Sequence, residues 1–102
     1  MIIYNVTVSV DEDVHEDWLS WMQQTHIPDV MRTGLFSESR ISRILAEEEG
    51  GISYSVMYHC ESMDIFNRYE AEFAPALRDA HVKRYGGKFV AFRTLLEVKS
   101  KF

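Results

Sequence analysis

Between Ile2 and Val10 the chain alternates strictly, with Ile2, Tyr4, Val6, Val8 and Val10 on one side and Ile3, Asn5, Thr7 and Ser9 on the other. A period of two is the signature of a half-buried strand, so this stretch needs a cover for its apolar side. The cover is legible next. Asp11, Glu12 and Asp13 place acids where a helix begins, Asp13 and Glu16 stand at capping-box spacing, and Val14, Trp18, Trp21, Met22 and Thr25 recur at helical spacing. Ile27 precedes Pro28, and the residue before a proline avoids the α region, so this helix is expected to stop near His26. Pro28 then opens a short turn through Met31, which Gly34 ends.

Leu35 to Ala46 reads as a second strand, Glu47-Glu48-Glu49-Gly50-Gly51 as an exposed hairpin turn, and Ile52 to Cys60 as the returning strand. Ser62 and Asp64 open a second helix, which Pro75 should split near Ala74 and Gly86-Gly87 should close. Lys88 to Lys99 is the last strand. The order strand, helix, strand, strand, helix, strand predicts an α+β fold of ferredoxin-like βαββαβ type, a four-stranded antiparallel sheet with two helices on one face. The helix-covered face is expected to carry Tyr4, Val6, Val8, Ile52, Tyr54, Val56, Tyr58, Phe92 and Leu96. The other face would hold Asn5, Thr7, Ser53, Ser55, Met57, His59 and Arg93, with Ile3, Phe89 and Leu95 among them. A half-polar face with scattered large apolar groups suits a second sheet across a wet cavity.

The 102 residues leave room for one domain, residues 1–102, with about 65% of its surface buried, so self-association would add needed stability. Charge is unevenly spread: ten acids face three bases in residues 1–50, and six acids face eight bases in residues 51–102. A formal net charge of −5 argues against nucleic acid as partner. No run of eighteen apolar residues and no basic-then-apolar leader is visible, so neither a membrane partner nor export is expected, and the cytoplasm is the expected compartment. Cys60 is the only cysteine and is read as a reduced thiol, which excludes a disulfide framework.

With the element order in hand, the segment His26-Ile27-Pro28-Asp29 resembles a stretch that follows the first helix in several families of dimeric α+β barrel proteins. Taken with Gly34-Leu35-Phe36, Phe92-Arg93-Thr94 and Glu97, the chain resembles, over nearly its whole length, a family of small bacterial proteins known only as a domain of unknown function. The resemblance implies a homodimer, sheet packed against sheet, and it carries no established activity. The wider superfamily includes cofactorless and haem-degrading monooxygenases, isomerases and ligand-sensing domains.

Candidate chemistry rests on few residues. Asp29, three positions from His26, would orient that imidazole as a general base, and Arg93 would stabilise the resulting oxyanion. Asn5, Arg40, Ser55, His59 and His81 are the expected ligand-binding residues of an inter-sheet cavity. For each the plainer alternative is packing, capping or a salt bridge, such as Arg93 with Glu38 or Glu97. The histidines at 15, 26, 59 and 81 offer no short ligand pair, so no metal is expected. In the haem-degrading branch, resemblance would match Asn5 and His81 but not the tryptophan near the third strand, for which Tyr54 or Tyr58 is the nearest substitute; no cofactor is expected. The functional expectation is a small polar or aromatic metabolite bound between two sheets, with a cofactorless isomerase or monooxygenase, or a ligand-free interaction module, as alternatives.

Overall fold

The computed structural model describes residues 1–46 and 48–102. Strand β1 (Ile2–Asp11) lies at the centre, paired antiparallel along its length with β3 (Gly51–Cys60) and with β4 (Phe89–Glu97), while β2 (Glu38–Arg43) joins β3 at the far edge. The sheet order β2-β3-β1-β4 is the expected ferredoxin-like arrangement. The apolar side of β1 does what its alternation requires: Tyr4, Val8 and Val10 are buried with Tyr54, Val56 and Tyr58 of β3 beneath the helices.

The first helical arm differs from expectation. It comprises α1 (His15–Trp21), a π turn (Met22–His26) and α2 (Ile27–Met31), and it runs straight through the pre-proline position. The Ile27 N–H reaches back five residues to the Met22 carbonyl, and Ile27 itself is helical at φ −62° and ψ −45°. The widened turn lets the helix absorb a proline that has no N–H to give. The Asp13 capping box does not form. Val14 occupies the cap position without a side-chain bond, and Asp13 lies 3.6 Å from Lys88 instead. Contacts of Lys88 with Asp11 and Asp13, and of Arg84 with Asp17, show where the acidic and basic halves meet, on exposed side chains whose pairs contribute little stability.

The second arm follows its sequence closely. Ser62 caps α3 (Met63–Glu72) by accepting from the Ile65 N–H at 3.3 Å, and the chain breaks at Phe73 before α4 (Ala74–Tyr85), with Pro75 in its first turn. Gly86 and Gly87 end α4 for separate reasons. A Cβ on Gly86 would lie 2.6 Å from the Val82 carbonyl, and Gly87 adopts φ +81°. Between β2 and β3, Gly50 takes φ +75°, while Glu47 of the expected turn lies outside the described residues. β2 is shorter than the expected 35–46, because Phe36 leaves the sheet edge to pack against Tyr4, Tyr58 and Tyr69.

The largest correction concerns β4. Val6 pairs with Arg93 and Tyr4 with Leu95, so Phe89, Arg93 and Leu95 share the helix-covered face with β1's apolar side. Phe92 and Leu96, expected under the helices, lie on the open face and are 65% and 43% exposed. Both parities of β4 carry large apolar residues, so periodicity alone does not choose between them; the pairing with β1 does.

Candidate functional site

A small cavity of about 30 Å³ lies between the helix-covered sheet face and the helical arms. Its floor is apolar, from Val6, Val8 and Val56, and polar groups from six elements converge above it. Tyr4 enters from β1, Tyr58 from β3, Arg93 from β4, Tyr69 from α3, and Arg78 and His81 from α4. His26, the last residue of the π turn, completes the ring. Tyr4 and Tyr58 sit at positions that alternation marks as core, and Tyr69 on the buried face of α3, where phenylalanine would bury as well; a phenol there adds a hydroxyl able to donate and accept.

Some of these groups are satisfied internally. Trp18, fully buried, donates its indole N–H to His81 Nε2 at 2.8 Å. Indole can only donate, so that nitrogen is an acceptor and the His81 proton resides on Nδ1. His81 also stacks on Phe89, with ring centroids 3.9 Å apart, and lies 5.6 Å from His26 and from Trp21 by the same measure. Burial pushes the pKa of both His26 and His81 down to about 4, opposed at His26 by the Asp29 charge and reinforced at His81 by His26 and Arg93. Both imidazoles are therefore neutral at neutral pH. Burial likewise raises the Tyr58 and Tyr69 hydroxyls above the usual phenol range. Both rings are at least 96% buried by relative exposures of 3% and 4%, yet neither hydroxyl has a hydrogen-bond partner among the described residues.

The cavity has two mouths. His26 and Leu77 separate it from a surface groove of about 450 Å³ bordered by Trp21, Asp29 and Lys83. At the opposite end Tyr4, Arg78 and Arg93 separate it from a depression of about 360 Å³ bordered by Phe66, Glu70 and Leu95.

The expected site residues thus divide into three groups. His26, His81 and Arg93 meet in the cavity under the helices, not between two sheets. Asp29 remains outside in the groove, its carboxylate bonded to Arg32 rather than to His26, so it acts on the imidazole only through its field. Asn5, Arg40, Ser55 and His59 stay on the open face. There Ser55 donates to Asn5 at 2.6 Å, Asn5 donates to Thr7 at 3.1 Å, Arg40 lies 3.7 Å from Glu38, and His59 stands opposite Ile3 and Glu38. Asn5 and His81 consequently lie on opposite sides of the sheet. Sequence reasoning passed over Tyr4, Tyr69 and Arg78 as functional groups and considered Tyr58 only as a substitute for the tryptophan of the haem-degrading branch. For Tyr4 and Tyr58 the available signal was the choice of tyrosine over phenylalanine on buried strand positions. Among the described residues no group of three or more His, Cys, Asp or Glu is placed to hold a metal ion, and no helix is long and apolar enough to cross a membrane.

The family model described as Domain of unknown function (DUF4286) matches residues 1–99. The chain belongs to the DUF4286 family. No curated protein sequence matches this DUF4286 chain. Solved structures resemble it in fold at low identity. A dimeric ferredoxin-like protein from an uncultured marine organism superposes with a TM-score of 0.72 at 14% identity, covering 100% of this chain and 98% of that one. SnoaB, a cofactor-independent oxygenase from Streptomyces nogalater, gives 0.68 at 15% identity, with 98% and 95% covered. A variant of MhuD with two manganese protoporphyrin IX bound per active site gives 0.74 at 17% identity, with 100% and 98% covered. These likenesses establish for the DUF4286 chain the ferredoxin-like fold of dimeric α+β barrel proteins.

Proposed function

We propose that this DUF4286 protein is a cytoplasmic homodimer that binds a small polar or aromatic molecule in the cavity under the helices of each copy. The observation that carries this reading is the convergence on one cavity of the Tyr58 and Tyr69 hydroxyls, which have no hydrogen-bond partner among the described residues, with two neutral imidazoles and Arg93. Donors and acceptors converging on one partly apolar cavity are what a small ligand with several polar groups can engage. At about 30 Å³ the cavity holds little more than a water or two, so a ligand enters by displacing Leu77 and His26 or by parting Arg78 from Arg93. The dimer is supported by Val90, Phe92 and Leu96 on the open sheet face, 71%, 65% and 43% exposed, and by the dimeric neighbour of like fold. The single, buried Cys60 is in keeping with a reducing compartment.

A second reading, a cofactorless isomerase or oxygenase, is favoured by the neutral His26 imidazole, which has no hydrogen-bond partner among the described residues and is free to accept a proton while Arg93 stands on the far side of the cavity.

Two measurements test the proposal. Light scattering should give twice the 11.9 kDa chain mass, and Phe92→Glu should reduce it to the single chain with the fold retained. Native mass spectrometry of protein purified from its own host should show a bound small molecule that Leu77→Trp, which fills the cavity, expels. A monomeric wild type overturns the dimer, and a ligand retained by Leu77→Trp overturns the cavity as its site.

A further inference from the structure

The polar groups at the β4 mouth are unequally used. Arg78 spends its guanidinium on Glu70, with Nη1 donating to Oε2 at 3.1 Å and Nη2 to Oε1, and Nη2 also donates to the Tyr4 hydroxyl at 3.1 Å. Arg93 donates only its Nε–H, again to the Tyr4 hydroxyl at 3.1 Å. Both of its terminal nitrogens are left over, and it has no carboxylate partner among the described residues. The carboxylates that sequence suggested for it are engaged elsewhere, Glu38 with Arg40 and Glu97 with Lys99. Glu70 balances Arg78, so Arg93 leaves the mouth with one net positive charge.

Tyr4 is the second unbalanced group. Its oxygen accepts from two guanidinium groups, which occupies both lone pairs, while its own O–H has no acceptor among the described residues although the ring is 97% buried by a relative exposure of 3%. Two cationic donors on one phenol oxygen polarise its O–H and make it a stronger donor. The terminal N–H pair of this exposed guanidinium and the polarised O–H, both at the neck between cavity and depression, have no protein acceptor among the described residues and are free to donate to an incoming oxygen. Phe66 borders this mouth and Tyr69 the cavity behind it, so the space on either side is walled by aromatic rings.

We infer that the ligand of this cavity is an aromatic carboxylate, its two oxygens held by the terminal nitrogens of Arg93 and the hydroxyl of Tyr4 at the β4 mouth. The inference rests on the proposed cavity reading and adds the charge and orientation of what binds there. A guanidinium meets a carboxylate through two parallel N–H···O bonds, which gives both strength and direction. Arg78, already neutralised by Glu70, is a positioning residue that holds Tyr4 toward the anion.

Benzoate and benzamide test this, because they are nearly isosteric and differ in charge. The full chain is titrated with each at neutral pH, and binding is read from the NMR signals of the Trp18 indole N–H and the Arg93 Nε–H. Benzoate should bind about 10-fold more tightly than benzamide, as a charged hydrogen-bonded pair against a neutral one requires. Arg93→Gln should abolish that preference, bringing benzoate down to the affinity of benzamide or below. Tyr4→Phe should weaken benzoate several-fold while benzamide is little affected. Equal affinities in the wild type, or a benzoate preference that survives Arg93→Gln, overturn the carboxylate subsite. If benzamide still shifts the Trp18 signal in either case, the cavity reading stands and only the anion site falls; if neither probe shifts it at millimolar concentration, both fall.

Discussion

Trp18→Ala is expected to destabilise the protein by about 3–5 kcal/mol, the range for removing a fully buried large aromatic side chain. A domain of this size has about 5–15 kcal/mol in all, so the variant should sit near the edge of unfolding. Trp18 lies at the junction of the two helical arms, its ring centroid 5.0 Å from that of Tyr54 and its N–H bonded to His81 of α4. The variant Trp18→Phe separates packing from hydrogen bonding. It keeps most of the apolar volume but leaves His81 Nε2 without a donor, and about 1–3 kcal/mol of loss is expected from that alone. Chemical denaturation of the three proteins, read by circular dichroism, checks the order. A Trp18→Phe variant as stable as wild type would show that the indole–imidazole bond contributes nothing.

The second large effect is loss of stability in mild acid. In the folded chain His26 and His81 have pKa values pushed down to about 4, mainly by burial, against 6.5 when exposed. Between those values the unfolded chain binds more protons than the folded one, so stability rises with pH. It is complete above about pH 6.5, falls as pH drops toward 4, and loses nothing further from these groups below that. Each imidazole adds up to about 1.4 kcal/mol per pH unit within the window. Urea midpoints measured at intervals from pH 7 to pH 4.5 should fall steeply, and His81→Gln, whose amide oxygen can still accept from Trp18, should remove about half of the slope. An unchanged slope in that variant would assign the acid sensitivity to other groups. The same neutral state is what allows His81 to accept the indole proton, so acidification attacks the junction that Trp18 holds.

Much of the fold was legible because its signals are local. The alternation of Ile2–Val10, the Ser62 cap, the break before Pro75 and the Gly86-Gly87 stop each depend on residues a few positions apart, and each appears where the sequence places it. Local rules also misled at Pro28. The pre-proline preference is real but is overridden here: Ile27 stays in the α region, a π turn carries the helix on into Pro28, and His26 stands at the end of that turn. The site was legible only in fragments. His26, His81 and Arg93 were recognisable as chemistry-bearing residues, whereas the partners Tyr4, Tyr69 and Arg78 read as core or surface and Tyr58 entered only as a substitute for a tryptophan.

Sequence alone determined the elements, their order and the apolar side of the central strand, since these follow from backbone preference and periodicity within single segments. Tertiary structure decided which side of β4 faces the helices, and with it the site. Arg93 opposite Val6 is a matter of strand pairing between residues far apart in the chain, and a shift of one residue would have sent its guanidinium to the open face. The cavity under the helices, the two mouths and the Tyr4 hydroxyl shared by Arg78 and Arg93 all depend on that register.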